Sequence, residues 1–211
     1  MRSLLLFGAG HGIGALLLDN VVNDYRVTLL LRNEEKAQQV TARYQNVSIV
    51  LGDASDPDAV EKACQTAGAD ATIVSTMGSK TADYQGHRLI IDCAEKLAMK
   101  RMLLVTSLGC GDSWATLSNK AKVAFGHAVR EKSLAETWLQ TSMLDYCIIR
   151  PGGLKEGEAT GKAQLYQNQE THGLVHRQDV ANTMTQLIEQ PTFGNQIYAI
   201  IDPTLEFKRV S

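Results

Sequence analysis

The stretch Phe7-Gly8-Ala9-Gly10-His11-Gly12-Ile13-Gly14 lies between two apolar runs, Ser3–Leu6 before it and Ala15–Leu18 after it. Its four glycines in seven positions stand where a strand is expected to end and a helix to begin. Because glycines leave the backbone uncovered, such a turn lets main-chain amides approach a pyrophosphate. We therefore interpret it as a dinucleotide-binding turn, in which the contacts are expected from Gly8, Gly10, His11, Gly12 and Ile13.

Two alternatives remain open at this turn. The glycines also suit an ordinary tight connection between a strand and a helix, without any ligand. The side chain of His11 faces either the phosphates of a ligand or the solvent. The apolar residues on both sides favour the ligand-binding interpretation, since the motif requires a strand before it and a helix after it.

Apolar strands and amphipathic helices alternate five times along the rest of the chain. The expected strands after Ser3–Leu6 are Arg26–Leu31, Val47–Leu51, Asp70–Ser75, Arg101–Thr106, Asp145–Ile149 and Asn195–Ile200. Repeated βα units predict a parallel sheet with helices on both faces. The predicted fold is a doubly wound, Rossmann-like α/β domain formed by residues 1–211, with a small C-terminal region on the substrate side.

Composition narrows the classes of partner. The 211 residues carry a formal net charge of -2 without a basic block, which argues against nucleic acid as a partner. The apolar run after Arg2 is interrupted at Gly8, and no segment is long enough to cross a bilayer. We expect a soluble, cytoplasmic protein, monomeric or homodimeric, with reduced cysteines and no metal site.

Arg32 follows the second expected strand, where NAD enzymes usually carry an acidic residue that binds the adenosine ribose. A guanidinium at this position pairs with a 2′-phosphate, whereas an acid would repel it. Lys36 adds a second positive charge nearby. Arg32 therefore predicts NADP(H) in preference to NAD(H), although a solvated arginine at the end of a strand remains an alternative.

The next two strands end in further residues expected at the cofactor. Asp53 and Ala54 follow the third strand, where a side chain meets the adenine. Asp56, three residues on, is interpreted as the N-cap of a helix, because Pro57 stands at the first helical position. The fourth strand leads into Thr76, Met77, Gly78 and Ser79, small and polar residues that suit a wall beside the cofactor.

The second half of the chain contains the expected substrate side. The fifth strand opens into a loop from Ser107 to Trp114, at the sheet edge where ligands bind. A long helix over 119–141 and a sixth strand follow, and then a turn over 150–154. Residues 155–176 lack a clear periodicity and are predicted to form either a mobile lid or an edge segment.

Taken together, these motifs resemble the atypical short-chain dehydrogenases and reductases of the NAD(P)H-binding, NmrA-like and biliverdin-reductase-B-like group. The resemblance rests on Gly8–Gly14, Leu31–Asn33, Gly52–Asp53, Val105–Gly109, Asp145–Leu154 and Arg177–Ala181, in that order along the chain. It implies a Rossmann-like fold that binds NADP(H). It also implies contacts from Arg32 to the 2′-phosphate, from Asp53 to adenine, and from Pro151, Gly152 and Gly153 to the nicotinamide end.

The catalytic residues match this family only in part. Short-chain dehydrogenases use a serine with a Tyr-x-x-x-Lys pair, in which the lysine helps the tyrosine to donate a proton. The resemblance places Ser107 at the serine and Lys132 at the lysine, but Ala128 at the tyrosine. Three possibilities follow: water or Ser107 supplies the proton, His127 or Lys132 replaces the tyrosine, or the protein is not catalytic.

Two functions are compatible with this pattern. The first is an NADPH-dependent reductase that transfers hydride to a small planar or carbonyl acceptor, such as a flavin, a quinone or a tetrapyrrole. Such acceptors take a proton from solvent, and Tyr84, Trp114, Phe125 and Tyr166 are candidates to line their site. The second is a non-catalytic NADP(H)-binding redox sensor or assembly factor of the NmrA-like type, which the missing tyrosine favours.

Overall fold

The structure of the protein is a computed structural model, which describes residues 1–78 and 83–206. The strands are β1 Arg2–Phe7, β2 Tyr25–Leu31, β3 Val47–Leu51, β4 Thr72–Ser75, β5 Arg101–Val105, β6 Asp145–Pro151, β7 Gly153–Lys155, β8 Gln164–Tyr166, β9 Leu174–His176 and β10 Gln196–Ile201. The helices are α1 Gly12–Val21, α2 Glu34–Arg43, α3 Pro57–Ala67, α4 Asp83–Lys96, α5 Asn119–Gln140 and α6 Arg177–Glu189, with a 3-10 helix at Gly111–Thr116.

The large sheet has the strand order β3-β2-β1-β4-β5-β6-β10-β8. The chain runs from β1 outward to β3 and returns to the other side of β1 with β4, so the strand order reverses beside β1. Phe7 is the register partner of Ser75, and both residues end their strands. The glycine turn and the chain leaving β4 therefore border the crevice in which ligands of doubly wound sheets bind.

Successive residues of β1 enter two separate cores. Leu4 and Leu6 pack in the core that contains α1, α2 and α6, whereas Leu5 and Phe7 pack in the core that contains α3, α4 and α5. Alternation along a strand sends neighbouring side chains to opposite faces, so an unbroken apolar strand needs cover on both sides. The predicted doubly wound, Rossmann-like sheet with helices on both faces is confirmed.

Several local predictions need correction. Arg150 and Pro151 were expected in a turn, but they extend β6, because Pro151 pairs with Ile200 of β10. Part of the loop expected over 107–114 forms the 3-10 helix. The segment 155–176, predicted as a mobile lid or an edge segment, needs no such correction: it contains β8, which pairs antiparallel with β10 at the edge of the large sheet, and β9, which pairs with β7. Ser79 lies outside the described residues.

The helix starts follow the sequence closely. Asp56 precedes α3, and its side chain accepts a hydrogen bond of 3.0 Å from the amide of Asp58, as the Asp-Pro pair predicts. In α2 the amide of Lys36 donates to the side chain of Asn33. Across residues 1–78 and 83–206, no helix combines the length and the apolar character needed to span a membrane.

The glycine turn packs directly on the chain leaving β4. The amide of Thr76 donates to the carbonyl of Phe7 at 3.0 Å, and its hydroxyl donates to the carbonyl of Gly8 at 3.2 Å. A Cβ atom on Gly14 would lie 2.4 Å from both the Gly8 carbonyl oxygen and the Thr76 hydroxyl. Helix α1 therefore reaches its place only because residue 14 has no side chain.

We expect Gly14→Ala to destabilise the fold by about 3 kcal/mol, because overpacking against backbone atoms cannot be relieved by a rotamer change. Helix propensity alone would predict the opposite change in the free energy of unfolding, since alanine is favoured over glycine inside a helix by about 1 kcal/mol. Urea unfolding followed by circular dichroism measures the effect. A variant as stable as the wild type would contradict the close packing of α1 on β4.

Candidate functional site: a cavity at the centre of the sheet

A cavity of about 600 Å³ opens at the reversal of strand order beside β1. Its walls come from the ends of β1, β2, β3 and β4 and from the starts of α2 and α4. The cofactor-binding residues predicted from sequence that line it are Gly8, Gly10, His11, Arg32, Asp53, Ala54, Met77 and Gly78. Residues from four strand ends, distant in sequence, therefore share one cavity.

The glycine turn presents backbone to this cavity. Gly8 and Gly12 have positive φ angles of 85° and 58°, a conformation that side chains disfavour. His11 precedes α1 and makes no side-chain cap, so it does not satisfy the first amides of the helix. These amides are the groups that bind phosphate in related turns. Ile13 is buried under the turn and packs in the core with α6.

Charges of both signs surround the end of the cavity at β2 and β3. Arg32 lies 3.4 Å from a carboxylate oxygen of Asp53, and Lys36 and Glu35 also line the wall. Hydrogen bonds from the side chain and amide of Ser55, followed by the charge of Arg32, lower the pKa of Asp53. The side chain of Arg32 is 75% exposed, so it is accessible to an anionic ligand.

The residues predicted at the nicotinamide end lie beyond the lining of this cavity. Ser107 follows β5 and donates its hydroxyl hydrogen to the carbonyl of Leu108 at 3.0 Å. The amide of Gly152 donates to Ile200, and that of Gly153 donates to Gly173. These two amides are used within the fold, so a contact from this backbone to a ligand would come from other atoms.

A buried ion pair holds the loop after β5 in place. Glu136 of α5 is 1% exposed and contacts the guanidinium of Arg150 at 3.0 Å and 2.7 Å. Arg150 also reaches Asp112 at 2.6 Å, and Thr106 donates to Glu136 at 2.6 Å. Two charge-assisted bonds to one carboxylate fix the angle between α5 and β6. The loop that begins at Ser107 is thereby attached at both ends.

Cys110 in the same loop is not a reactive thiol. It is fully buried, and burial raises the pKa of its thiol to about 11. The thiol donates to the carbonyl of Val129. A protonated, buried cysteine of this kind packs as a small apolar residue.

Lys132 has partners that the sequence did not indicate. Its ammonium lies 2.6 Å from a carboxylate oxygen of Asp83 and donates to the carbonyl of Met77 at 3.0 Å. The other oxygen of Asp83 is 2.8 Å from Nδ1 of His87. Asp83 also lines the cavity, although it is only 2% exposed.

Asp83 is held in its charged form. Burial alone would raise the pKa of this carboxyl, but the adjacent His87 ring and the Lys132 ammonium outweigh burial and lower it. The group therefore stabilises the fold above the ordinary titration range of aspartate, and this stability is lost as the pH falls. Sequence periodicity offered one signal for these residues, because 83, 87, 90, 91 and 94 share one face of α4.

The segment 155–176 is attached to α6 and β10 by polar contacts. The amides of Thr160 and Gly161 both donate to Asp179 at 2.9 Å, and the hydroxyl of Thr160 also contacts Asp202. Arg177 is paired with Glu156 at 2.6 Å. Asp179 and Asp202 are buried, whereas Thr160, Gly161 and Glu156 are exposed. The prediction of a mobile lid stays a prediction, with its 160–161 region tied to the domain.

The fold and the cavity define a Rossmann-type protein with a glycine-rich turn beside the cavity at the centre of its sheet. The profile of the NAD(P)H-binding family matches residues 8–191, which include the glycine turn and most of the sheet. The chain belongs to the NAD(P)H-binding family. The family resemblance inferred from the motifs is therefore confirmed.

Individual relatives extend over almost the whole chain. Among solved structures, that of ChuY, an anaerobillin reductase from Escherichia coli O157:H7, is 52% identical in sequence with a TM-score of 0.93, and the match covers 97% of this chain and 98% of ChuY. Sanguinarine reductase of Eschscholzia californica is 25% identical over 247 residues, covering 93% of this chain and 87% of its own. YhfK of Bacillus subtilis, named an uncharacterized sugar epimerase, is 28% identical over 214 residues and 94% of each chain.

A substitution at Gly10 tests whether the glycine turn binds the ligand, whereas the substitution at Gly14 tests packing. A Cβ atom on Gly10 would meet nothing closer than Lys36 at 3.9 Å and Leu31 at 4.0 Å, two residues that line the cavity. We expect Gly10→Ala to keep the stability of the wild type within about 1 kcal/mol but to weaken NADPH binding by roughly tenfold or more, because the methyl group occupies ligand space. Fluorescence titration of the dialysed protein measures binding. Unchanged affinity would show that the turn is not the ligand cradle.

Proposed function

We propose that this protein is an NADPH-dependent reductase that transfers hydride to a conjugated acceptor of the open-chain tetrapyrrole class. The observation that carries the proposal is the 52% identity to an anaerobillin reductase over 97% of the chain. The cavity beside β1 supports it independently, because its glycine turn leaves room for a dinucleotide. The name of sanguinarine reductase agrees with reduction of a conjugated ring system.

NADPH, when bound, supplies the hydride, and the protein supplies binding, orientation and a polar environment. The proposed cradle consists of the glycine turn and the walls at Asp53, Ala54, Met77 and Gly78. Thr76 supports this cradle through its bond to Gly8. Ser107, Lys132 and the residues Pro151, Gly152 and Gly153 are proposed at the reacting end.

A conjugated acceptor explains why Ala128 at the family's tyrosine position is compatible with reduction. Hydride addition to a conjugated system spreads negative charge over several atoms, so less depends on one tyrosine hydroxyl next to a carbonyl. Ala128 is half-buried on α5, one turn before Lys132. His127 is exposed, and neighbouring helical residues point about 100° apart, so Lys132 is the better placed of the two.

We further propose that NADPH is preferred over NADH. Arg32 and Lys36 offer two cations to a 2′-phosphate, and α2 begins beside them at Glu34. Asp53 and Glu35 line the same wall and oppose this attraction. The preference therefore depends on the direct approach of the guanidinium of Arg32, rather than on the net charge of the wall.

We expect Arg32→Glu to weaken NADPH binding by about 2–3 kcal/mol, roughly 30- to 150-fold, through loss of a charged pair and addition of a repulsion. NADH binding should change little. Arg26→Glu is the matched control, because Arg26 is exposed on the same strand at the opposite end. Calorimetric titration of both dinucleotides gives the affinities. Equal losses for NADPH and NADH in Arg32→Glu would contradict the 2′-phosphate assignment.

The activity test is anaerobic oxidation of NADPH in the presence of anaerobillin, biliverdin, FMN, a quinone and a simple aldehyde. We expect turnover with the open-chain tetrapyrroles and a fall of about 10- to 100-fold in Ser107→Ala, because a polar contact at the reacting end is removed. Ser48→Ala, an exposed serine of β3, is the control. Tight NADPH binding without turnover of any acceptor would instead favour the redox-sensor function.

A further inference from the structure

A chain of polar contacts runs through the protein behind the cavity. It leads from Lys132 to Asp83, from Asp83 to His87, and from Nε2 of His87 to the hydroxyl of Ser75 at 2.8 Å. The four side chains come from α5, α4 and β4. Ser75, His87 and Asp83 are at most 2% exposed, and the side chain of Lys132 is 14% exposed. Lys132 is thus the member of this chain that meets solvent.

This series of contacts is not a hydrolase triad, although Ser75, His87 and Asp83 contact one another in the order found in such a triad. Ser75 is the last residue of β4, which lies between β1 and β5, and it is completely buried, so no substrate carbonyl reaches its hydroxyl. Nδ1 of His87 faces two oxygens of Asp83, its carboxylate at 2.8 Å and its carbonyl at 2.7 Å. Because both partners accept hydrogen bonds, Nδ1 carries a hydrogen and the ring is fixed in one orientation.

Lys132, the exposed end of this series of contacts, borders the proposed dinucleotide cavity. Met77 and Gly78 line that cavity, and Lys132 donates to the carbonyl of Met77. A Cβ atom on Gly78 would lie 3.8 Å from the ammonium. A buried carboxylate that is ionised needs a compensating charge, and Lys132 provides it at this wall. The position of Lys132 is therefore set by Asp83 as well as by its own helix.

We propose that Asp83, oriented by His87 and Ser75, holds the ammonium of Lys132 at the cavity wall as the proton donor of the reduction. This inference rests on the proposed function. Bound NADPH would supply the hydride, one hydrogen with two electrons, to a carbon of the acceptor and would be left as NADP⁺. One N–H bond of Lys132 breaks, and its proton forms a new bond to the acceptor atom that bears the negative charge. The neutral amine then takes a proton from water, while Asp83 stays a carboxylate throughout.

Lys132 is the catalytic residue in this scheme, whereas Asp83 and His87 are positioning residues. Asp83 of α4 is the carboxylate that contacts the ammonium, and Glu131, which precedes Lys132 on α5, accepts a hydrogen bond from the amide of Tyr84. Glu136, one turn further along α5, is paired with Arg150. Asp83 is therefore the carboxylate whose removal should release the side chain of Lys132 from its position.

Acetylation of the NADPH-free protein tests the positioning without any turnover. Trace labelling at neutral pH with an acetylating reagent, followed by mass spectrometry, gives the rate for each lysine. We expect Asp83→Asn to raise the rate at Lys132 roughly tenfold, because the side chain loses the 2.6 Å contact that holds its nitrogen in place and away from the reagent. His87→Gln should raise it less, and Lys96 should be unchanged in both. An unchanged rate at Lys132 in a folded Asp83→Asn protein would overturn the positioning role.

Single-turnover hydride transfer tests the donor role. We expect Lys132→Met to slow hydride transfer by about 10²–10⁴-fold with NADPH affinity within a few-fold of wild type, as for loss of a general acid. Lys132→Arg keeps the charge but cannot release a proton, so it should stay slow. Recovery of the rate in Lys132→Arg would overturn proton donation. Lys96→Met is the control, because Lys96 forms an exposed pair with Glu61 on α3.

The failure of the inference and the failure of the proposed function give different results. If the wild type reduces no acceptor, the proposed function and the donor role both fail, while the acetylation rates still report the contact between Asp83 and Lys132. If the wild type reduces tetrapyrroles and Lys132→Met does so at the same rate, the inference alone fails. Should Asp83→Asn not fold, the acetylation rate at Lys132 is compared in His87→Gln and Ser75→Ala, which change the buried residues that orient Asp83.

Discussion

The contact between the glycine turn and the chain leaving β4 is the constraint on which the site depends. A side chain at Gly8 would come within 2.8 Å of the backbone at Thr76 and Met77, and one at Gly14 within 2.4 Å of Gly8 and Thr76. This approach places the glycine turn and the residues after β4 side by side in the wall of one cavity. Under the proposed function, packing in this region is therefore also a condition for dinucleotide binding, because the backbone of the same turn lines the cavity.

Buried charges determine where α5 lies. Glu136 is paired with Arg150 of β6, and Lys132, one turn earlier on the same helix, is paired with Asp83 of α4. Each pair compensates a carboxylate that water does not reach, so removing one partner leaves an uncompensated charge and is costly. One helix is thus joined to the sheet by one pair and to α4 by the other. Both ion pairs lie at the end of the sheet that carries the cavity, so the position of α5 relative to the cavity depends on them.

Many residues that line the cavity were predicted from the sequence, but Asp83 and its partner His87 were not. Gly10, His11, Arg32, Asp53 and Met77 each stand directly after a strand, and parallel strands bring such residues to one edge. Asp83 and His87 follow no strand and belong to no motif. Their apolar-face spacing on α4 would usually indicate core residues, and they are indeed buried. The spacing on α4 does not predict the contact with Lys132, because Lys132 lies on α5.

The sequence by itself determined the order of the helices and of the longer strands, the position of the glycine turn and the cap of α3, because these depend on residues close together in the chain. The tertiary structure decided the extension of β6 through Pro151, the pairing of β8 with β10, and the joining of Asp83 to Lys132. These features depend on partners far apart in the chain, 49 residues for Asp83 and Lys132. Periodicity specifies which face of an element is buried, but only the packed fold specifies which buried groups meet.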